Sequence, residues 1–154
     1  MKHIKESIKE LLFCTKNIIG LDCLSLPREE EITEKDINKV LELGEKGDLG
    51  KGNHYNEEIR MGLFCGEMAE IVDGEKLKED LLVYSNFLLV DGLVKYILFR
   101  VRKNGFLSKE MACMFNAKVR TINEDIRNNC SYKELDKYID EYLKIGHSIL
   151  LLTV

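Results

Sequence analysis

Between Leu81 and Val101 the chain reads LLVYSNFLLVDGLVKYILFRV, an almost continuous apolar run broken at Asn86, Asp91, Gly92, Lys95 and Arg100. A membrane span needs about 20 predominantly apolar residues without such interruptions. The run therefore predicts a buried helix or helix pair, bent at Asp91–Gly92, with Leu88, Leu93, Val94 and Leu98 at the centre of a core. A helix that is apolar on most sides must be covered by other elements. The remaining sequence has to supply amphipathic pieces that wrap it.

Those pieces recur at helical spacing. Ile4, Ile8, Leu11 and Leu12 predict a helix over residues 2–19. Thr33 and Asp36 resemble a helix cap before Ile37, Val40 and Leu41. Ile59, Leu63, Phe64, Met68, Ile71 and Val72 predict another helix, ended by Asp73–Gly74, and Asn104–Gly105 ends the central one. Short helices are expected over 108–115 and 118–128, then one over 131–145 carrying Leu135, Tyr138, Ile139 and Tyr142. The tail Ile149–Val154 reads as a short strand or as the last turn of a helix. At 154 residues, with 45% apolar and 32% charged residues and one proline, disordered and collagen-like chains are excluded. The expectation is all-α: one compact helical domain, 1–154, of about six or seven helices around the apolar central helix.

Several kinds of chemistry are missing from the pattern. Lys51 lies among Gly44, Gly47, Gly50 and Gly52, but Gly44 and Gly50 are separated by five residues and no Ser or Thr follows the lysine, so a phosphate loop is not spelled. Cys14, Cys23, Cys65, Cys113 and Cys130 form no CxxC pair, and with His3, His54 and His147 they make no metal-ligand spacing. Such scattered cysteines fit small buried apolar groups in a reducing compartment. Lys5, Glu6, Lys9 and Glu10 interrupt any secretory apolar region, so the cytoplasm is the expected location. His54 beside Glu57 and Glu58 reads as an exposed helix start. No metal, cofactor, membrane contact or enzymatic activity is expected.

One segment carries a mechanism. From Leu107 the chain reads LSKEMACMFNAKVRTINEDIR. A helix-turn-helix needs a small residue where its helices cross, and Ala112 supplies it. Phe115 closes the core one turn later, and Asn116 is the best substitute for glycine in the turn. Val119, Ile122 and Ile126 form the inward face of a second helix. Its outer face offers Arg120, Thr121, Asn123 and Glu124 to base edges, with Lys109, Lys118 and Arg127 placed for phosphates.

Charge supports the assignment. Residues 95–137 hold ten Lys/Arg against five Asp/Glu, whereas residues 1–94 hold twelve against twenty. The chain thus divides into an acidic part, 1–94, and a basic part, 95–145, around the motif, as phosphate attraction requires. The segment resembles the helix-turn-helix of DeoR-type bacterial regulators, with Ala112, Phe115, Thr121, Ile122 and Asp125 at matching positions. Asn116, Ala117 and Lys118 depart from that pattern, which places Gly, Val and Ser there. The resemblance covers about twenty residues and implies a transcription regulator that binds duplex DNA as a homodimer. The alternative from the helical pattern is a protein-protein interaction module, adaptor or inhibitor, of phage or viral type and without DNA binding.

Overall fold

The computed structural model describes residues 55–129 and 134–153, together with Lys35, Asn38, Leu41 and Glu42. These isolated four are helical, in the segment where the cap at Thr33 predicts a helix. The helix over 2–19, the glycine-rich loop and His54 lie outside the described residues. The rest forms four helices, α1 (Tyr55–Ile71), α2 (Glu75–Lys103), α3 (Lys109–Asn129) and α4 (Leu135–Thr153), with no strand among the described residues.

α2 is the expected central helix, and it is one uninterrupted element of 29 residues. Asp91 and Gly92 lie within it, so the helix pair is not formed. By length and composition it could cross a bilayer, but 83% of its apolar window is buried inside the bundle. Twelve of its apolar or aromatic residues are core, among them Leu81, Phe87, Leu88, Leu93, Val94, Ile97 and Val101. Each fully buried side chain of this kind contributes about 1.5–3 kcal/mol. Arg100, Arg102 and Lys103 occupy its last turn, where the helix dipole favours cations.

α1 returns along α2 through the short link Val72–Gly74, and it approaches closely because of Gly62 and Gly66. The Ser85 hydroxyl donates to the Gly62 carbonyl at 2.6 Å. A Cβ on Gly62 would lie 2.9 Å from Leu89 Cγ and 3.0 Å from the Leu89 backbone nitrogen.

α3 corrects the sequence expectation. It runs unbroken from Lys109 to Asn129, through the position expected to turn, and no described non-glycine residue has positive φ. Asn116 is helical, so the helix-turn-helix unit is not formed. Ala112, Phe115, Val119, Ile122 and Ile126 are all buried, as expected. Their alternating three- and four-residue spacing continues one stripe across the supposed turn. Without the glycine of the turn, that stripe is satisfied most cheaply by a single helix.

The tail takes the helical of its two expected forms. α4 continues to Thr153, with Ile149 and Leu150 buried behind Tyr138, Tyr142 and Ile145. The apolar tail extends that helical stripe and forms no strand. The count is therefore four helices among the described residues, not six or seven.

α1 runs antiparallel to α2, with Glu58 beside Lys95, Gly62 against Leu89 and Gly66 against Ser85. Tyr142 of α4 lies beside Phe87 of α2 and is bonded to Asn123 of α3. The short connector between Lys103 and Lys109 holds the end of α2 beside the start of α3.

Gly62→Val is expected to lower stability by about 1–3 kcal/mol, because Leu89 backbone blocks the new side chain. Urea titration checks this, and a variant as stable as the parent would contradict the close approach.

Candidate functional site

Three groups of residues stand out: the exposed side of α3, a polar cluster inside the bundle and a set of exposed apolar side chains.

On α3, Lys109, Lys118, Arg120, Thr121, Glu124 and Arg127 are exposed. They do not share one face. At 100° per residue, Lys118 and Arg120 project about 160° apart, whereas Lys109, Arg120 and Arg127 fall within about 20° of one line. Glu110, Glu124 and Asp125 are exposed on the same helix. Thr121 turns its hydroxyl to the Ala117 carbonyl at 3.0 Å, and the Lys118 ammonium sits 5.9 Å from the centre of the Phe115 ring. Asn123, expected to face bases, is half-buried, and its Oδ1 accepts from the Tyr142 hydroxyl at 2.6 Å.

That hydrogen bond leads inward. Asp91 is fully buried, and Lys95 donates to its Oδ2 at 3.0 Å. The same ammonium lies 3.7 Å from Glu58 Oε1. Burial pushes the Tyr142 phenol well above its ordinary range, reinforced by the Asp91 carboxylate through charge and hydrogen bonding. Asp91 Oδ1, the other oxygen of that carboxylate, has no hydrogen-bond partner. α1 gives Glu58, α2 gives Asp91 and Lys95, α3 gives Asn123 and α4 gives Tyr142.

Sequence reasoning treated Asp91 and Lys95 as interruptions of an apolar run and Glu58 as an exposed helix start. The i,i+4 spacing of Asp91 and Lys95 was the available signal; the convergence of Glu58 and Tyr142 on them had none. The cluster is a set of paired charges in a core, and among the described residues no group of His, Cys, Asp and Glu could hold a metal ion. Nor is Cys65 a nucleophile, since burial raises its thiol to about 12. Cys113 is free and exposed.

No family model matches the chain, and no curated protein or solved structure does either.

A third group lies on the surface. Among the described residues seven large apolar side chains are exposed: Ile71, Leu77, Phe99, Phe106, Met114, Leu151 and Leu152. The first two flank the α1–α2 link. Phe106 lies in the α2–α3 connector, Phe99 and Met114 lie about 6–8 Å along their helices from it at 1.5 Å per residue, and Leu151 and Leu152 are in the last turn of α4.

Lys95→Met should cost about 3–5 kcal/mol, because it leaves buried carboxylates without their cation. Combined with Asp91→Asn it should cost less than the two single changes added together, and strict additivity in urea titrations would show that the groups are not coupled. The alkaline limb supplies a separate check. A phenol whose folded pKa is raised above the unfolded value of about 10 stabilises fully below pH 10 and progressively less as pH rises towards its folded value. Tyr142→Phe should therefore lose less stability between pH 9 and 11 than the parent does.

Proposed function

We propose that this chain is a helical protein-interaction module that presents its α2–α3 connector and the helix turns beside it to a partner. The observation that carries this is the exposure of Phe99, Phe106 and Met114 around that connector, while twelve apolar or aromatic residues of α2 are buried. Single exposed apolar residues are ordinary on a protein surface; three around one connector indicate a contact site. The buried polar cluster supports the scaffold role, since every member is committed to holding helices in register.

A second proposal, duplex DNA binding along α3, has one favouring observation. Lys109, Arg120 and Arg127 are exposed and lie in a row spanning about 27 Å of helix, a length over which cations can follow a phosphate backbone. Glu124, about 40–60° from that row, opposes it, and the helix-turn-helix on which base readout rested is not formed.

The test uses the full chain in the cells that produce it, with a photoreactive benzoylphenylalanine replacing Met114, Phe106 or Leu77 in turn. Adducts with a protein are expected from the first two positions and not from Leu77 at the opposite end of α2. A second copy of this chain in the adduct would make the module a homo-oligomer. Absence of adducts at both Met114 and Phe106 would remove the interaction reading. Selection from random duplexes decides the alternative: enriched sites whose binding falls on Arg120→Ala and with added salt would assign the chain to DNA.

A further inference from the structure

The α2–α3 connector is held by capping hydrogen bonds at both of its ends. Asn104 N–H donates to the Arg100 carbonyl at 2.9 Å, Gly105 N–H to Arg102 at 3.2 Å, and Phe106 N–H to Val101 at 2.9 Å. With Gly105 at φ +73°, this is a Schellman closure, in which a left-handed residue satisfies the last carbonyls of a helix. Three residues later the next helix is capped as firmly. The Ser108 hydroxyl accepts from Met111 N–H at 3.2 Å, while Leu107 and Ala112 are buried across the first turn of α3.

Between these two pinned ends Phe106 is 51% exposed. Arg102, Lys103 and Lys109, all exposed, flank it in sequence, against the single acid Glu110. An aromatic side chain on a pre-ordered turn binds without the entropy of ordering a loop, and such anchors dominate contact energies.

We infer that the α2–α3 connector is a recognition knob: Phe106 enters an apolar pocket on a protein partner whose rim is acidic and faces Arg102, Lys103 and Lys109. This rests on the interaction reading and names the partner's chemistry. A second copy docking knob to knob is disfavoured, because it would bring the same three cations together. An anionic bilayer is disfavoured by Asn104, Ser108 and Glu110, which are exposed on the same connector and first turn. These groups would be drawn towards lipid with Phe106, whereas a protein can hydrogen-bond them.

The experiment takes the protein captured through Phe106 or Met114, purifies it, and measures its affinity for the full chain by calorimetry. Phe106→Ala should weaken binding at least about tenfold, as expected for an anchor. Lys103→Glu with Lys109→Glu should weaken it comparably and reduce its salt dependence. Unchanged helicity and thermal midpoint identify the variants as folded. If the Phe106 variant loses its fold, the charge-reversed pair decides by itself. A partner caught only at Met114 that binds all variants like the parent would overturn the knob and leave the interaction module standing. No adduct at Phe106 would also overturn it. So would binding to phosphatidylserine vesicles that Phe106→Ala abolishes, if the captured protein is unaffected by that change.

Discussion

Covering α2 is the constraint from which the rest of this structure follows. A 29-residue helix with twelve buried apolar or aromatic residues is insoluble by itself, and each covering helix is amphipathic because it exists to shield one sector of it. α1 does so by close approach, with Gly62 and Gly66 in place of side chains. α3 and α4 do so through stripes of Phe115, Val119, Ile122 and Ile126, and of Tyr138, Tyr142, Ile145 and Ile149. Surrounding α2 also encloses its polar positions, so Asp91 and Lys95 are carried into the interior by the apolar residues on either side of them.

The cost of that enclosure explains the polar cluster. Burying an ion costs several kcal/mol, and an attractive pair recovers this only with good geometry and further hydrogen bonds. Asp91 and Lys95 meet at 3.0 Å within one helix, and Glu58 and Tyr142 reach them from two others. Twelve buried residues at about 1.5–3 kcal/mol each outweigh the penalty, so the fold tolerates the cluster. What the cluster adds is register. A helix displaced by one turn, about 5.4 Å, would leave a buried charge without its partner.

The surface divides on the same axis. Around the α1–α2 link, Glu70, Asp73, Glu75 and Glu79 are exposed with Lys76 and Lys78. At the other end, Arg102, Lys103 and Lys109 surround exposed aromatic and aliphatic side chains. The charge asymmetry between the acidic first part and the basic later part of the chain thus becomes, in this region, an asymmetry between the two ends of a bundle. A basic segment in sequence is no more specific to nucleic acid than to an acidic protein surface, since both attract by the same long-range field.

Sequence by itself determined the all-helical class, the central position of Leu81–Val101, the stop at Asn104–Gly105 and the inward residues of α3. Each rests on local periodicity or on the conformational freedom of one residue. It did not determine whether the stripe from Ala112 to Ile126 belongs to one helix or two, because Asn116 is compatible with either a turn or a helix. Burial of the whole stripe in the core rewards an unbroken helix and decided for one. The tail from Ile149 was equally ambiguous, and burial of Ile149 and Leu150 on the core made it helix. The polar cluster was invisible because Glu58, Asp91, Asn123 and Tyr142 are far apart in sequence, and nothing local marks a buried charge until its partners arrive. Likewise, only the packed fold left Phe99, Phe106 and Met114 exposed around the α2–α3 connector. An apolar residue in sequence does not announce which side of a core it will meet; that depends on which neighbouring helix reaches it first.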